Sequence, residues 1–202
     1  MYTSTSATTL RNSSQLTLQA VTLLSQRKDY ATCHIHIPGE SQRMPAVAVN
    51  GRFYSFFRSL KDSQKTLGLL LKLSNRGNQV VATPTSRGHA LWVYEADATL
   101  ASNGKARRRP LPTAAAPADC WIVSDRQPGY RICSLMLPDL AKPVQGITNG
   151  QKLYSLYRRE QSSEAAIKLA TRLCQRGDEV VIVVGTSGYV ICIYEAAATV
   201  LS

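Results

Sequence analysis

Cationic and aromatic side chains alternate along one short stretch, Arg52-Phe53-Tyr54-Ser55-Phe56-Phe57-Arg58, with Lys61 and Lys65 just beyond it. In an extended strand successive side chains point to opposite faces, so Tyr54, Phe56 and Arg58 would share one face and Phe53, Ser55 and Phe57 the other. Rings stack on bases and cations hold phosphates, which together make a surface for RNA or single-stranded DNA. A second stretch, Lys152-Leu153-Tyr154-Ser155-Leu156-Tyr157-Arg158-Arg159, offers the same chemistry with fewer rings. Lys105, Arg107, Arg108 and Arg109 form a third cationic cluster, in a segment where no packing requires them. Such a cluster docks on phosphate backbones or on an acidic protein surface without reading sequence. The candidate nucleic-acid-binding residues are therefore Arg52, Tyr54, Phe56, Arg58, Lys61, Lys65, Lys105, Arg107, Arg108, Arg109, Tyr154, Arg158 and Arg159. The competing reading buries the same rings beneath a second layer.

Other chemistry is sparse. The chain has no nucleophile elbow, phosphate-binding glycine loop, zinc-protease motif or dinucleotide fingerprint. His34 and His36 are two apart and share a strand face, a spacing that suits a metal ion, but Ser134 and Met136 occupy the matching later positions and only His89 is left as a third ligand. Cys33, Cys120, Cys133, Cys174 and Cys192 are odd in number and lack a C-x-x-C pair, so they read as free, mostly buried thiols. Arg58 and Arg158, with Glu95 and Glu195, recur at strand ends. They could grip an anion, or pair with each other to fix strand register. The expectation is a non-enzymatic protein with no catalytic residue, no metal and no cofactor.

These residues sit in a chain that repeats itself at an interval of 100 residues. Tyr30, Cys33 and Pro38 return as Tyr130, Cys133 and Pro138, and Tyr94-Glu95-Ala96 as Tyr194-Glu195-Ala196. Pairing Asn50-Gly51 with Asn149-Gly150 calls for one gap. The organisation expected is a disordered tail at 1–14, a first repeat module at 15–100, a basic Pro/Ala-rich linker at 101–117 and a second module at 118–202. The net charge of +11 is uneven: 10 Lys and Arg face 5 Asp and Glu over residues 15–100, but 9 face 8 over residues 110–202. A polyanion would meet the first module and the linker.

Each module reads as α+β, an antiparallel sheet with one packed helix in the order ββββαββ, and the two could form one pseudo-two-fold body. A first strand at 16–24 (120–123 in the second module) precedes a period-two strand, Thr32–Ile37 or Ile132–Leu137. A hairpin follows, turning at Asn-Gly, whose residues tolerate the positive φ of a type I′ turn. The helix starts at Asp62-Ser63 or Ser162-Ser163 and ends at Arg76-Gly77 or Arg176-Gly177. In layout the duplicated strand-rich unit is similar to the PUR and Whirly nucleic-acid-binding proteins, except that its helix precedes the last two strands.

No apolar run approaches the roughly 18 residues of a membrane span, and no export signal opens the chain, so a soluble, cytoplasmic protein is expected. The first functional reading is a nucleic-acid-binding protein that uses the basic-aromatic strand surface and the linker. The alternative is a protein-interaction adaptor or assembly factor built from two homologous modules.

Overall fold

Asp62 and Ser162 begin the two helices of the structure, a computed structural model that describes residues 18–101 and 117–201. The tail at 1–14 and the cluster Lys105, Arg107, Arg108 and Arg109 lie outside the described residues. Helix α1 spans Ser63–Asn75 and helix α2 Ser163–Arg176. The Asp62 carboxylate accepts the Lys65 amide at 2.9 Å, and Ser162 Oγ accepts that of Ala165 at 3.4 Å, so each first turn has a side-chain cap. Gly77 and Gly177, with φ of 80° and 99°, supply the left-handed residue that closes each last turn. Leu67, Leu70 and Leu73 of α1, and Ala166, Ile167, Ala170, Leu173 and Cys174 of α2, are buried at helical spacing.

Both stripes press on the same face of one sheet. Its strands are β1 (Val21–Leu23), β2 (Ala31–His36), β3 (Met44–Val49), β4 (Arg52–Leu60), β5 (Val80–Thr85), β6 (Gly88–Tyr94) and β7 (Thr99–Leu100), then β8 (Cys120–Ser124), β9 (Arg131–Met136), β10 (Val144–Thr148), β11 (Leu153–Glu160), β12 (Val180–Gly185), β13 (Gly188–Tyr194) and β14 (Thr199–Val200). The 14-stranded order is β14, β9, β10, β11, β13, β12, β8, β1, β5, β6, β4, β3, β2, β7. The described residues thus form an α+β fold, with two α-helices on one large sheet.

The sheet departs from the expected pair of antiparallel units. β1 runs parallel to β5 and β8 parallel to β12, because the chain returns beside its first strand after passing through the helix. Of the first strand expected at 16–24, residues 16 and 17 lie outside the described residues, and among the described ones only Val21–Leu23 are strand. After β6 and β13 the chain adds β7 and β14, short strands that pair with β2 and β9 at the two outer edges and extend ββββαββ by one element. The halves meet where β1 and β8 pair antiparallel, at Val21 and Cys120. One such rung gives a net contribution of about 1 kcal/mol per hydrogen bond, whereas each fully buried Leu, Ile or Val contributes roughly 1.5–3 kcal/mol. Side-chain burial therefore holds the join: Val21, Leu23, Leu67 and Leu70 share one core with Ile122, Leu169, Ala170 and Leu173.

The two Asn-Gly pairs turn out not to be equivalent. Val49 pairs with Arg52, so Asn50 (φ 49°) and Gly51 (φ 76°) form the expected two-residue turn. In the second hairpin Thr148 pairs with Leu153, and four residues make the turn. Asn149 Oδ1 accepts the amides of Gln151 and Lys152 at 3.0 and 2.7 Å. Val47 faces Tyr54 as Ile147 faces Tyr154, so the interval of 100 holds on both flanks and the expected gap does not exist.

Candidate nucleic-acid interface

A β-bulge decides which of the sequence-derived candidates share a surface. Phe56 pairs with Trp92, but Arg58 pairs with Leu91, which leaves Phe57 as an extra residue in β4. Partners directly across a ladder project to the same side, and Leu91 belongs to the core beneath the helices. Arg58 therefore faces the helix side, opposite to Tyr54 and Phe56, and the expected row of Tyr54, Phe56 and Arg58 is broken. The bulge recurs between Leu156 and Arg158, placing Arg158 with Ile191 on the helix side and Arg159 with Val190 on the other. Lys65 is an exposed residue of α1, and Lys61 leads into that helix, so neither joins the ring surface.

Burial removes two more candidates from direct contact. Tyr54 is 6% exposed and Tyr154 0% exposed. Each belongs to a core on the helix-free face and packs a tilted ring against the next strand, Tyr54 on Tyr94 at 5.5 Å and Tyr154 on Tyr194 at 5.8 Å. Burial raises the phenol pKa of Tyr54, against the pull of Arg52.

The rings that group around the helix-free core of the first half with open surface are Phe56, 38% exposed, and the half-buried Trp92, Tyr94 and Tyr30. Phe56 meets Trp92 edge-on at 5.3 Å. Arg52 sits 5.7 Å over the Tyr94 ring and Arg27 4.7 Å over the Tyr30 ring. Arg27 also donates to Thr32 Oγ1 at 2.8 Å. Trp92, Tyr94, Tyr30 and Arg27 were not among the sequence candidates. The signal for Trp92 was its place two residues before Tyr94 on the same strand, which puts both rings on one face.

The second half has the same scaffold with a different charge balance. Lys152 lies 5.1 Å over the Tyr194 ring, as Arg52 lies over that of Tyr94, but its ammonium is paired with Glu179 at 2.6 Å. Glu179 also accepts from Tyr154 Oη at 2.7 Å and from Trp121 Nε1 at 3.1 Å. Burial alone would raise its carboxyl pKa; these donors and the Lys152 charge bring it below the usual range. The same contacts hold the Tyr154 phenol well above its ordinary value, after burial as the larger cause. One hundred residues earlier stands Gln79, whose Oε1 accepts from Arg52 at 3.2 Å. Among the described residues the Arg52 charge has this hydrogen-bond partner but no counter-ion.

The recurrent Arg and Glu do not pair as register locks. Glu95 accepts from Ser55 Oγ, and Glu195 from Ser155 Oγ, both at 2.6 Å. His34 and His36 are exposed on β2. The five cysteines are free, with Cys120, Cys174 and Cys192 buried. No helix among the described residues is long and apolar enough to cross a membrane. Comparison of the chain with family models, with curated proteins and with solved structures finds no match.

Proposed function

We propose that this chain is a non-enzymatic nucleic-acid-binding protein that holds RNA or single-stranded DNA on the helix-free face of its first half. The observation that carries this reading is the grouping of Phe56, Trp92, Tyr94 and Tyr30 with Arg52 and Arg27 on a face that bears neither helix. Neither arginine forms an ion pair among the described residues. Half-open rings accept stacked bases, and adjacent uncompensated guanidinium groups attract phosphate. In this reading the halves are homologous modules that diverged: the first keeps its cation free, and the second neutralises the equivalent cation with Glu179. The linker cations Lys105, Arg107, Arg108 and Arg109 add sequence-independent attraction.

The test is fluorescence anisotropy with labelled oligo(dT) and oligo(rU) over a range of salt concentrations. Affinity should fall steeply with salt. Phe56→Ala should weaken binding by about 1–3 kcal/mol, and Arg107→Ala, Arg108→Ala and Arg109→Ala together should weaken it on every sequence. Retention of full affinity by both variants would refute the reading.

A second reading, a protein-interaction adaptor, is favoured by one observation. Phe57 and Tyr157 are 48% and 44% exposed at the same bulge in each half. Large exposed rings act as hot spots in protein interfaces. A partner captured after nuclease treatment and at high salt, and lost with Phe57→Ala and Tyr157→Ala, would favour it.

A further inference from the structure

At positions 100 residues apart, large side chains of the first half stand where small ones stand in the second. On the helix-free face of the first half Trp92 and Phe56 fill the space above the sheet, and Trp92 Nε1 donates to Thr83 Oγ1 at 2.9 Å. The same places in the second half hold Cys192, Leu156 and Val183, in the same register. The smaller side chains leave a cavity of about 340 Å³. That lies within the roughly 300–1,000 Å³ of small-ligand sites.

The shape of the sheet makes this a half-open trough. β9 and β8 are five strand spacings apart, roughly 24 Å on a flat sheet, yet Ile132 and Val123 line the same cavity. The sheet must therefore curl around it. The floor is apolar, made by Val123, Ile147, Leu156, Val183, Val190 and Cys192. Ile132, 76% exposed, carries that apolar surface to the mouth. Burial pushes the Cys192 thiol up to about 12, against the pull of the Arg159 charge.

Arg159 supplies a fixed cation beside this floor. It pairs with Val190 across the ladder, so it projects to the cavity side, and its Nη2 donates to Gln145 Oε1 at 2.8 Å. That contact orients the guanidinium and leaves other donors of the fork for a ligand. The equivalent residue of the first half is Ser59, so the cavity and the cation occur together in the second half. Asp125 and a second cation, Arg131, also line the cavity, as does Glu160, whose carboxylate turns to the helix side 3.9 Å from Arg158. The Asp125 charge opposes a doubly negative phosphate more strongly than a single carboxylate.

We propose that this trough binds a small amphipathic monocarboxylate, with its apolar chain or ring on the Val/Ile/Leu floor and its carboxylate on Arg159. The proposal does not depend on nucleic-acid binding, which was assigned to the other half.

Isothermal titration with octanoate tests it directly. Octan-1-ol and octylamine serve as neutral and cationic controls of the same length, and uridine monophosphate as the phosphate control. Octanoate should bind and octylamine should not. Arg159→Gln should weaken octanoate about tenfold or more and leave octan-1-ol unchanged. The triple variant Leu156→Phe, Val183→Thr and Cys192→Trp, which copies the first half, should lose both ligands; should it fail to fold by circular dichroism, Arg159→Gln decides alone. The proposal is overturned by absence of octanoate binding, by equal affinity for octanoate and octylamine, by tighter binding of uridine monophosphate, or by full affinity in a folded triple variant. Saturating octanoate should leave oligonucleotide anisotropy unchanged, so the two readings stand or fall separately.

Discussion

Arg52 and Gln79 meet through Nη1 and Oε1 at 3.2 Å, a contact that orients the guanidinium without neutralising it. Gln79→Glu would supply the counter-ion that Glu179 provides to Lys152. It should reduce oligonucleotide affinity and lower the slope of log affinity against log salt by about 1, while fold stability changes little. Arg52→Ala should act in the same direction. Anisotropy titrations at several salt concentrations check both, and a slope that stays the same in Gln79→Glu would argue against contact at Arg52.

Glu179 makes the second half sensitive to acid. Its folded-state pKa is lower than in the unfolded chain, so it stabilises the fold above the usual carboxylate range, and that contribution is lost as pH falls through the depressed value. In Glu179→Gln the urea midpoint at neutral pH should drop, and the decline in stability below about pH 4 should be shallower than in the parent protein. Urea titrations across the acid range measure this; an unaltered acid profile would place the sensitivity elsewhere.

Tyr154 anchors the same network from beneath. Its ring is fully buried and its hydroxyl donates to Glu179, so Tyr154→Phe should cost about 1.5–3 kcal/mol, the range for a hydrogen bond to a charged group. Together with Glu179→Gln the loss should be smaller than the sum, because both changes remove the same contact. Chemical denaturation of the two single variants and the double variant gives the coupling; additive losses would mean that the bond contributes nothing to the folded state.

Gly88 and Gly188 mark tight approaches after the bulged strands. Their φ angles are 140° and 131°, and a Cβ at either place would overlap the carbonyl oxygen of Leu60 or Glu160. Gly88→Ala and Gly188→Ala should each destabilise the fold by about 1–3 kcal/mol, whereas alanine at Gly68, where a Cβ meets nothing within 4 Å, should stabilise α1 by roughly 0.5–1 kcal/mol. Thermal melts of the three variants check the order.

What was legible in the sequence is what local chemistry specifies. Asp62 and Ser162 announced the helix starts, Gly77 and Gly177 the ends, and the apolar stripe of α2 its buried face. The bulge was not legible, because aromatic residues occupy both parities of Tyr54–Phe57 and hide the loss of alternation. Nor was the parallel pairing of β1 with β5, since a three-residue strand carries too little pattern to name its neighbour. The unequal filling of the two troughs did leave a trace: Trp92 against Cys192 and Phe56 against Leu156 differ greatly in volume at matched positions. Its meaning depended on a curl of the sheet that no residue pattern encodes.

If side-chain volume alone separates the two troughs, the second should be transferable to the first. Phe56→Leu, Thr83→Val and Trp92→Cys together remove the rings and the hydrogen-bonded indole that occupy the first trough. Two costs follow. Truncating the aromatics should destabilise by an amount on the order of 3–5 kcal/mol, and loss of Phe56 and Trp92 should weaken oligonucleotide binding. In return the first half should accept octan-1-ol. It should show no preference for octanoate, because Ser59 offers no charge; adding Ser59→Arg should create that preference. Calorimetry on a background that already carries the Leu156→Phe, Val183→Thr and Cys192→Trp plug isolates the engineered site. A folded variant that takes up neither ligand would show that ring volume is not what distinguishes the halves.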